Sequence, residues 1–291
     1  MTLHFPGHLF PGSPPRHPLD INPRAETDPP VPAPGFEPRM LLLLLSMAFL
    51  PFAAAFVLPP RLHAVRVIRG QEAPLGSRPY MAYVRIGSTG SCGGFLIRED
   101  VVATAAHCNC NLGDIFVYLG VQDLKKPDQN WQRIRARRWI QHPDFNNENF
   151  DNDIMLLKLW HSAELTEWVM SIPLPEANHH VSPGSECSVA GWGWTGVNTT
   201  TDKLHEAEQE VMSDGLCKER YKNYNPTTML CAGNPHVMKS AFQGDSGGPL
   251  VCNGVVQGIV SNGKPDGHPP SIYTRISKFI PWISETLQKL S

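Results

Sequence analysis

The segment F-Q-G-D-S-G-G-P-L-V, Phe242 to Val251, places a serine between glycines. Glycine tolerates the backbone angles of a tight turn, and consecutive N–H groups in such a turn can converge on one point. Nucleophilic acyl transfer needs that geometry, an exposed hydroxyl beside a site for a developing oxyanion. Gly/Ser turns are common, so a base must be found as well. The segment V-V-A-T-A-A-H-C, Val101 to Cys108, offers His107 at the end of an apolar run. Taken alone, His107 reads as a core histidine at a strand end. The segment N-F-D-N-D-I-M-L-L-K-L offers Asp153 directly before another apolar run, where aspartate is also an ordinary turn residue. The combination of hydroxyl, imidazole and carboxylate carries more weight than any one of them.

These groups must be held by something. From Val67 onward the chain reads as short strands bounded by Gly, Pro, Asn and Asp. Met81–Ile86, Gly94–Ile97, Val101–Thr104, Ile115–Leu119 and Val255–Val260 are the clearest runs. No βαβ alternation, short repeat or heptad is present. The spacing predicts an all-β barrel or sandwich. At the end, Ile276, Phe279, Ile280, Ile283, Leu287 and Leu290 follow a helical period, with Pro281 expected near the first turn.

The motifs A-A-H-C, D-N-D-I-M-L-L, V-A-G-W-G and G-D-S-G-G-P-L-V resemble, in order and interval, those of the chymotrypsin-like serine proteases. The resemblance covers Val67 to Ser291. The segments R-P-Y-M-A-Y, C-G-G-F-L-I and N-D-I-M-L-L-K-L look most like the granzyme, mast-cell chymase and cathepsin G branch. The resemblance implies two packed six-stranded antiparallel β-barrels with a C-terminal α-helix. It implies Ser246 as nucleophile, His107 as general base then acid, and Asp153 as the group that orients the imidazole. The N–H groups of Gly244 and Ser246 would form the oxyanion hole. Bridges Cys92–Cys108, Cys187–Cys252 and Cys217–Cys231 are implied, with Cys110 left over. No cofactor and no metal are implied. By the same resemblance the pocket base would fall at Ser240 and not on an aspartate, Phe242 stands where many relatives carry a further cysteine, and Ser261, Asn262, Gly263 and Ser271 would line the rest. Such an open, uncharged pocket suits Phe, Tyr, Leu or Met at the cleaved position.

The 291 residues leave ample material for a core, with 41% hydrophobic and 18% charged residues. The formal net charge of −2 argues against a whole-molecule polyanion binder, and no nucleic-acid partner is expected. Five of the 25 basic and four of the 27 acidic residues precede Val67, so the remainder nets −3. The run Arg133 to Arg138 is either a sulfated-glycan contact or a solvated strand face. Seven cysteines suggest an oxidising compartment. Residues 1–39 are proline-rich and read as disordered or as no part of the mature protein, and residues 40–55 read as a signal peptide ending at Ala53-Ala54-Ala55. Residues 56–66 read as a propeptide, cut after Arg66 by a trypsin-like protease. The resemblance implies that the freed Val67 amine then pairs with Asp245. Protein or peptide substrates, and protein inhibitors, are the expected partners of a secreted or granule-stored enzyme. Retention of residues 40–58 as a membrane anchor, and a non-catalytic binder on the same fold, are the alternatives. Asn198 heads a glycosylation sequon.

Overall fold

A computed structural model describes residues 70–109, 113–195, 199–237, 239–241 and 244–290. The leader and propeptide, Arg66, Val67, Cys110, Asn198 and Phe242 lie outside them.

The first half is a barrel. Its strands are β2 (Met81–Ile86), β3 (Gly90–Arg98), β4 (Val101–Thr104), β5 (Ile115–Leu119), β6 (Gln132–Gln141) and β7 (Met155–Leu159), preceded by a two-residue β1 (Gln71–Glu72). They close in the order β2-β3-β4-β7-β6-β5, antiparallel throughout. Alternation explains the closure. In β5, Ile115, Val117 and Leu119 are buried while Phe116 and Tyr118 face outward. In β6, Ile134 and Ala136 point in, and Arg133, Arg135 and Arg137 point out. The Arg133 guanidinium lies 3.8 Å from the Phe116 ring centroid and Arg135 pairs with Asp114 at 2.6 Å, so this run forms a strand face.

The second half holds β8 (Glu186–Gly191), β9 (His205–Glu210), α1 (Asp214–Arg220), β10 (Met229–Ala232), β11 (Pro249–Cys252), β12 (Val255–Asn262) and β13 (Ser271–Arg275). Its sheet runs β1-β9-β8-β11-β12-β13-β10. The bridge Val211–Ala232 and the bonds Met212 N–H to Cys231 O (2.9 Å) and Gly233 N–H to Glu210 O (2.8 Å) bring the β9 and β10 ends together. Six strands therefore curl into a second barrel, and β1 adds a seventh on β9. Three disulfides join Cys92–Cys108, Cys187–Cys252 and Cys217–Cys231.

The C-terminal helix α2 (Ile276–Lys289) buries Ile276, Phe279 and Ile283 in the core of the first barrel. Each such burial contributes roughly 1.5–3 kcal/mol. Pro281 sits in the helix interior and not near its first turn. A proline there frees the carbonyl four residues back. That carbonyl, Ser277 O, instead accepts the Asn178 N–H at 2.8 Å. At the other end Arg98 Nη1 donates to Leu287 O at 3.0 Å, a cation at a helix C-terminus. Among the described residues no helix is long and apolar enough to cross a membrane.

Candidate active site

Three short segments meet between the barrels. The first follows β4, whose four residues are all buried. Thr104 Oγ1 donates to Gly93 O at 2.8 Å and ends the strand, and a 3-10 turn over Ala106–Cys108 then turns His107 outward. Ala105 and Ala106 are fully buried, so only small side chains fit beneath this turn. The disulfide from Cys108 to Cys92 on β3 fixes it.

The second segment leads into β7. Phe150 and Asn152 adopt positive φ of 59° and 57°, which re-aims the chain so that Asp153 points inward. Asp153 is fully buried. Its Oδ1 accepts the His107 backbone N–H at 2.9 Å and its Oδ2 lies 2.7 Å from His107 Nδ1. Ser261 Oγ donates to the same Oδ2 at 2.6 Å, and Thr274 Oγ1 donates to the Asp153 carbonyl at 2.7 Å. Three polar hydrogen-bonding groups thus converge on one buried carboxylate. With Asp153 on its Nδ1, a neutral imidazole carries its proton there and presents Nε2 as the acceptor nitrogen.

The third segment is the turn before β11. Gly244 has φ +94° and Gly247 φ +84°, both left-handed. A Cβ on Gly247 would lie 2.2 Å from Thr104 Oγ1 and 2.5 Å from Gly93 O, so only glycine lets this turn approach the His107 segment. The Gly93 N–H donates to Ser246 O at 2.7 Å, which docks Ser246 on the first barrel. Asp245 is buried, and its Oδ1 accepts the Gly193 N–H at 2.9 Å.

Ser246 borders a cavity of about 250 Å³ lined also by Ala241, Ser261, Asn262, Gly263 and Ser271. Ser240 stands behind that lining, 1% exposed, with its hydroxyl bonded to Ala241 O (2.9 Å) and facing Ser271 Oγ (2.8 Å). No charged group is among these floor residues; Lys264 stands at the cavity wall. A larger cavity of about 390 Å³ lies elsewhere, beside Glu186, Glu208, Glu210 and Lys239, and contains none of these groups. Cys92, His107 and Cys108 present ligand atoms close together, but the two sulfurs are bonded to each other and His107 Nδ1 is held by Asp153. The trio therefore lacks the thiolates that a metal would need.

Sequence reasoning assigned Ser261 to the pocket, whereas it also bonds Asp153. It missed Gly93, Thr274 and Phe150, whose ring packs edge-on 5.6 Å from that of His107. No local signal marks them: each acts through a partner more than 10 residues away.

The trypsin family model matches residues 67–283. The chain is 50% identical to duodenase-1 of Bos taurus over 255 residues, covering 86% of this chain and 97% of that one. It is 45% identical to human granzyme B (81% and 96% covered) and 44% to mouse cathepsin G (86% and 93%). A solved structure described as "Structure of GrC" superposes with a TM-score of 0.72 at 40% identity, covering 76% of this chain and 99% of that one. The chain belongs to the trypsin family, as a serine endopeptidase of the granzyme and chymase branch that acts on protein or peptide substrates.

Proposed function

We propose that Ser246, His107 and Asp153 carry the hydrolysis. His107 Nε2 takes the Ser246 Oγ proton as the oxygen attacks the peptide carbonyl, and returns it to the leaving amine. Water, deprotonated by the same nitrogen, then hydrolyses the acyl-enzyme. Asp153 stabilises the imidazolium formed on the way. The Gly244 and Ser246 N–H groups hold the oxyanion, a donor pair of which each member is typically worth ~10²–10³ in turnover. The observation that carries this reading is the buried Asp153, bonded to both the ring and the backbone of His107.

The pocket takes Phe, Tyr, Leu or Met at the cleaved position. Its hydroxyl-capped, uncharged floor supports this, as does its size. An aromatic side chain buries ~150–250 Å², which at ~25 cal/mol per Å² is about 4–6 kcal/mol before the costs of association. A peptide library tests it, with Ser246→Ala as blank. Cleavage after bulky apolar residues is expected; preference for Lys, Arg or Asp would overturn the assignment.

The enzyme is made as a secreted or granule-stored zymogen. A trypsin-like protease cuts after Arg66, and the Val67 amine pairs with Asp245. Asp245 is buried directly before Ser246, so a charge brought against its carboxylate acts on the turn that holds the serine, which supports the coupling. An Arg66→Gln precursor should resist maturation; normal processing of it would refute this route.

A further inference from the structure

We propose that Asp151 is a positioning residue for the catalytic pair, a hydrogen-bonded clamp between the barrels that fixes both Asp153 and the Phe150 ring against His107. The proposal rests on the triad reading above.

Asp151 occupies the middle of the turn Phe150-Asp151-Asn152, whose outer residues both have positive φ. Neither is glycine, so the conformation is strained and must be held by its surroundings. One edge is held within the loop. The Asp151 N–H donates to Asn149 Oδ1 (3.0 Å), its carbonyl accepts the Asn146 N–H (3.0 Å), and Asn152 Nδ2 donates to Asp144 O (2.9 Å). The other edge is held across the cleft. The Asp151 carboxylate accepts from Asn225 Nδ2 at 3.0 Å and from the Thr228 hydroxyl, both in the segment before β10 of the second barrel.

That anchor is itself rigid. Thr228 is buried, its carbonyl accepts the Arg275 N–H at 2.8 Å, and the Met229 N–H donates to Asn225 O at 2.8 Å. Arg275 closes β13, the strand whose Thr274 bonds the Asp153 carbonyl. The strained turn is thus tied to the same strand pair that supports Asp153. Without the carboxylate, the turn is free to relax toward ordinary φ values. Phe150 would then leave His107, and the entry to Asp153 would shift.

The test uses the activated enzyme and an acylated single-residue Phe amide, which contacts little beyond the nucleophile and its pocket. Asp151→Ala should lower kcat by about 10²-fold, the scale of a 1 Å misplacement, with KM little changed. Asp151→Asn should recover most of kcat, because it keeps an acceptor for Thr228 and the Asn225 amide can turn to accept from its NH₂. Thr228→Val should show an intermediate loss, and adding it to Asp151→Ala should lower kcat no further, because the two share one interaction. Wild-type kcat in Asp151→Ala or in Thr228→Val overturns the proposal. So does Asp151→Asn no better than Asp151→Ala, which would assign the effect to charge. If Asp151→Ala fails to fold, Thr228→Val and Asp151→Asn still decide. Stoichiometric fluorophosphonate labelling of wild-type Ser246, run in parallel, separates failure of the triad reading from failure of this one.

Discussion

Gly191 ends β8 against Asp245, and a single methyl there should disable the enzyme without unfolding it. An ideal Cβ on Gly191 lies 2.1 Å from Asp245 Oδ1 and 3.0 Å from Asp245 Cγ. Ordinary contact needs about 3.5 Å, so in Gly191→Ala the carboxylate must move by more than about 1 Å. Oδ1 is also the acceptor for the Gly193 N–H at 2.9 Å. Losing a buried bond to a charged group costs about 1.5–3 kcal/mol. Asp245 is 5% exposed, so water cannot replace that bond. For a domain of this size the loss lowers Tm by roughly 3–12 °C. Asp245 lies between Gly244 and Ser246, so the movement passes into the turn that carries the proposed nucleophile and oxyanion donors. Misplacement on that scale typically costs about 10²-fold or more in kcat. The assay is kcat and KM on a Phe amide, with Tm by calorimetry on the same sample. Gly215→Ala is the control: Gly215 is helical in α1, and a Cβ there meets nothing closer than 4.0 Å. It should be neutral or stabilising by about 0.5–1 kcal/mol, with full activity. A Gly191→Ala protein with wild-type kcat would refute the claim that Asp245 sets the turn.

Disulfide removal should rank by loop length. Replacing Cys187 and Cys252 by alanine opens a 65-residue loop and should cost about 4 kcal/mol, against about 3 kcal/mol for the 14-residue Cys217–Cys231 loop; equal losses in denaturant titrations would contradict the ranking. His142 supplies an acid-sensitive contact. Burial against Phe279 and Trp282 holds its imidazole below the usual histidine value, and its Nδ1 accepts the Asp144 N–H at 3.2 Å, which only the neutral ring can do. A depressed folded value means that the unfolded chain takes the proton first, so stability is lost as pH falls below about 6.5. His142→Asn should flatten Tm between roughly pH 6.5 and 5; an unchanged slope would exclude His142 as its source.

The strands that could be read in the sequence were those in which side chains alternate or are wholly apolar. Met81–Ile86, Val101–Thr104 and Ile115–Leu119 have the expected ends. β3 begins at Gly90, four residues before the apolar run, because Ser91 and Cys92 pair with Arg85 and Val84 by backbone bonds that need no apolar side chain. β9, H-E-A-E-Q-E, carries almost no apolar signal; its inward positions are His205, Ala207 and Gln209. The helix α1 was missed because seven residues make too short a period. Its one local mark is Ser213, whose side chain caps the Leu216 N–H. Within the site, residue types point to His107, Asp153 and Ser246, but not to the contacts of Gly93, Thr274 and Asp151, whose partners are set by how the two barrels meet.

On the proposed mechanism, Ser246 is a nucleophile activated by the His107–Asp153 pair. A fluorophosphonate probe added to the processed protein, followed by peptide mass analysis, tests it most directly. One adduct per chain on Ser246 is expected, abolished by Ser246→Ala and slowed by orders of magnitude in His107→Ala. No adduct on the processed protein, or equal labelling in His107→Ala, would contradict it.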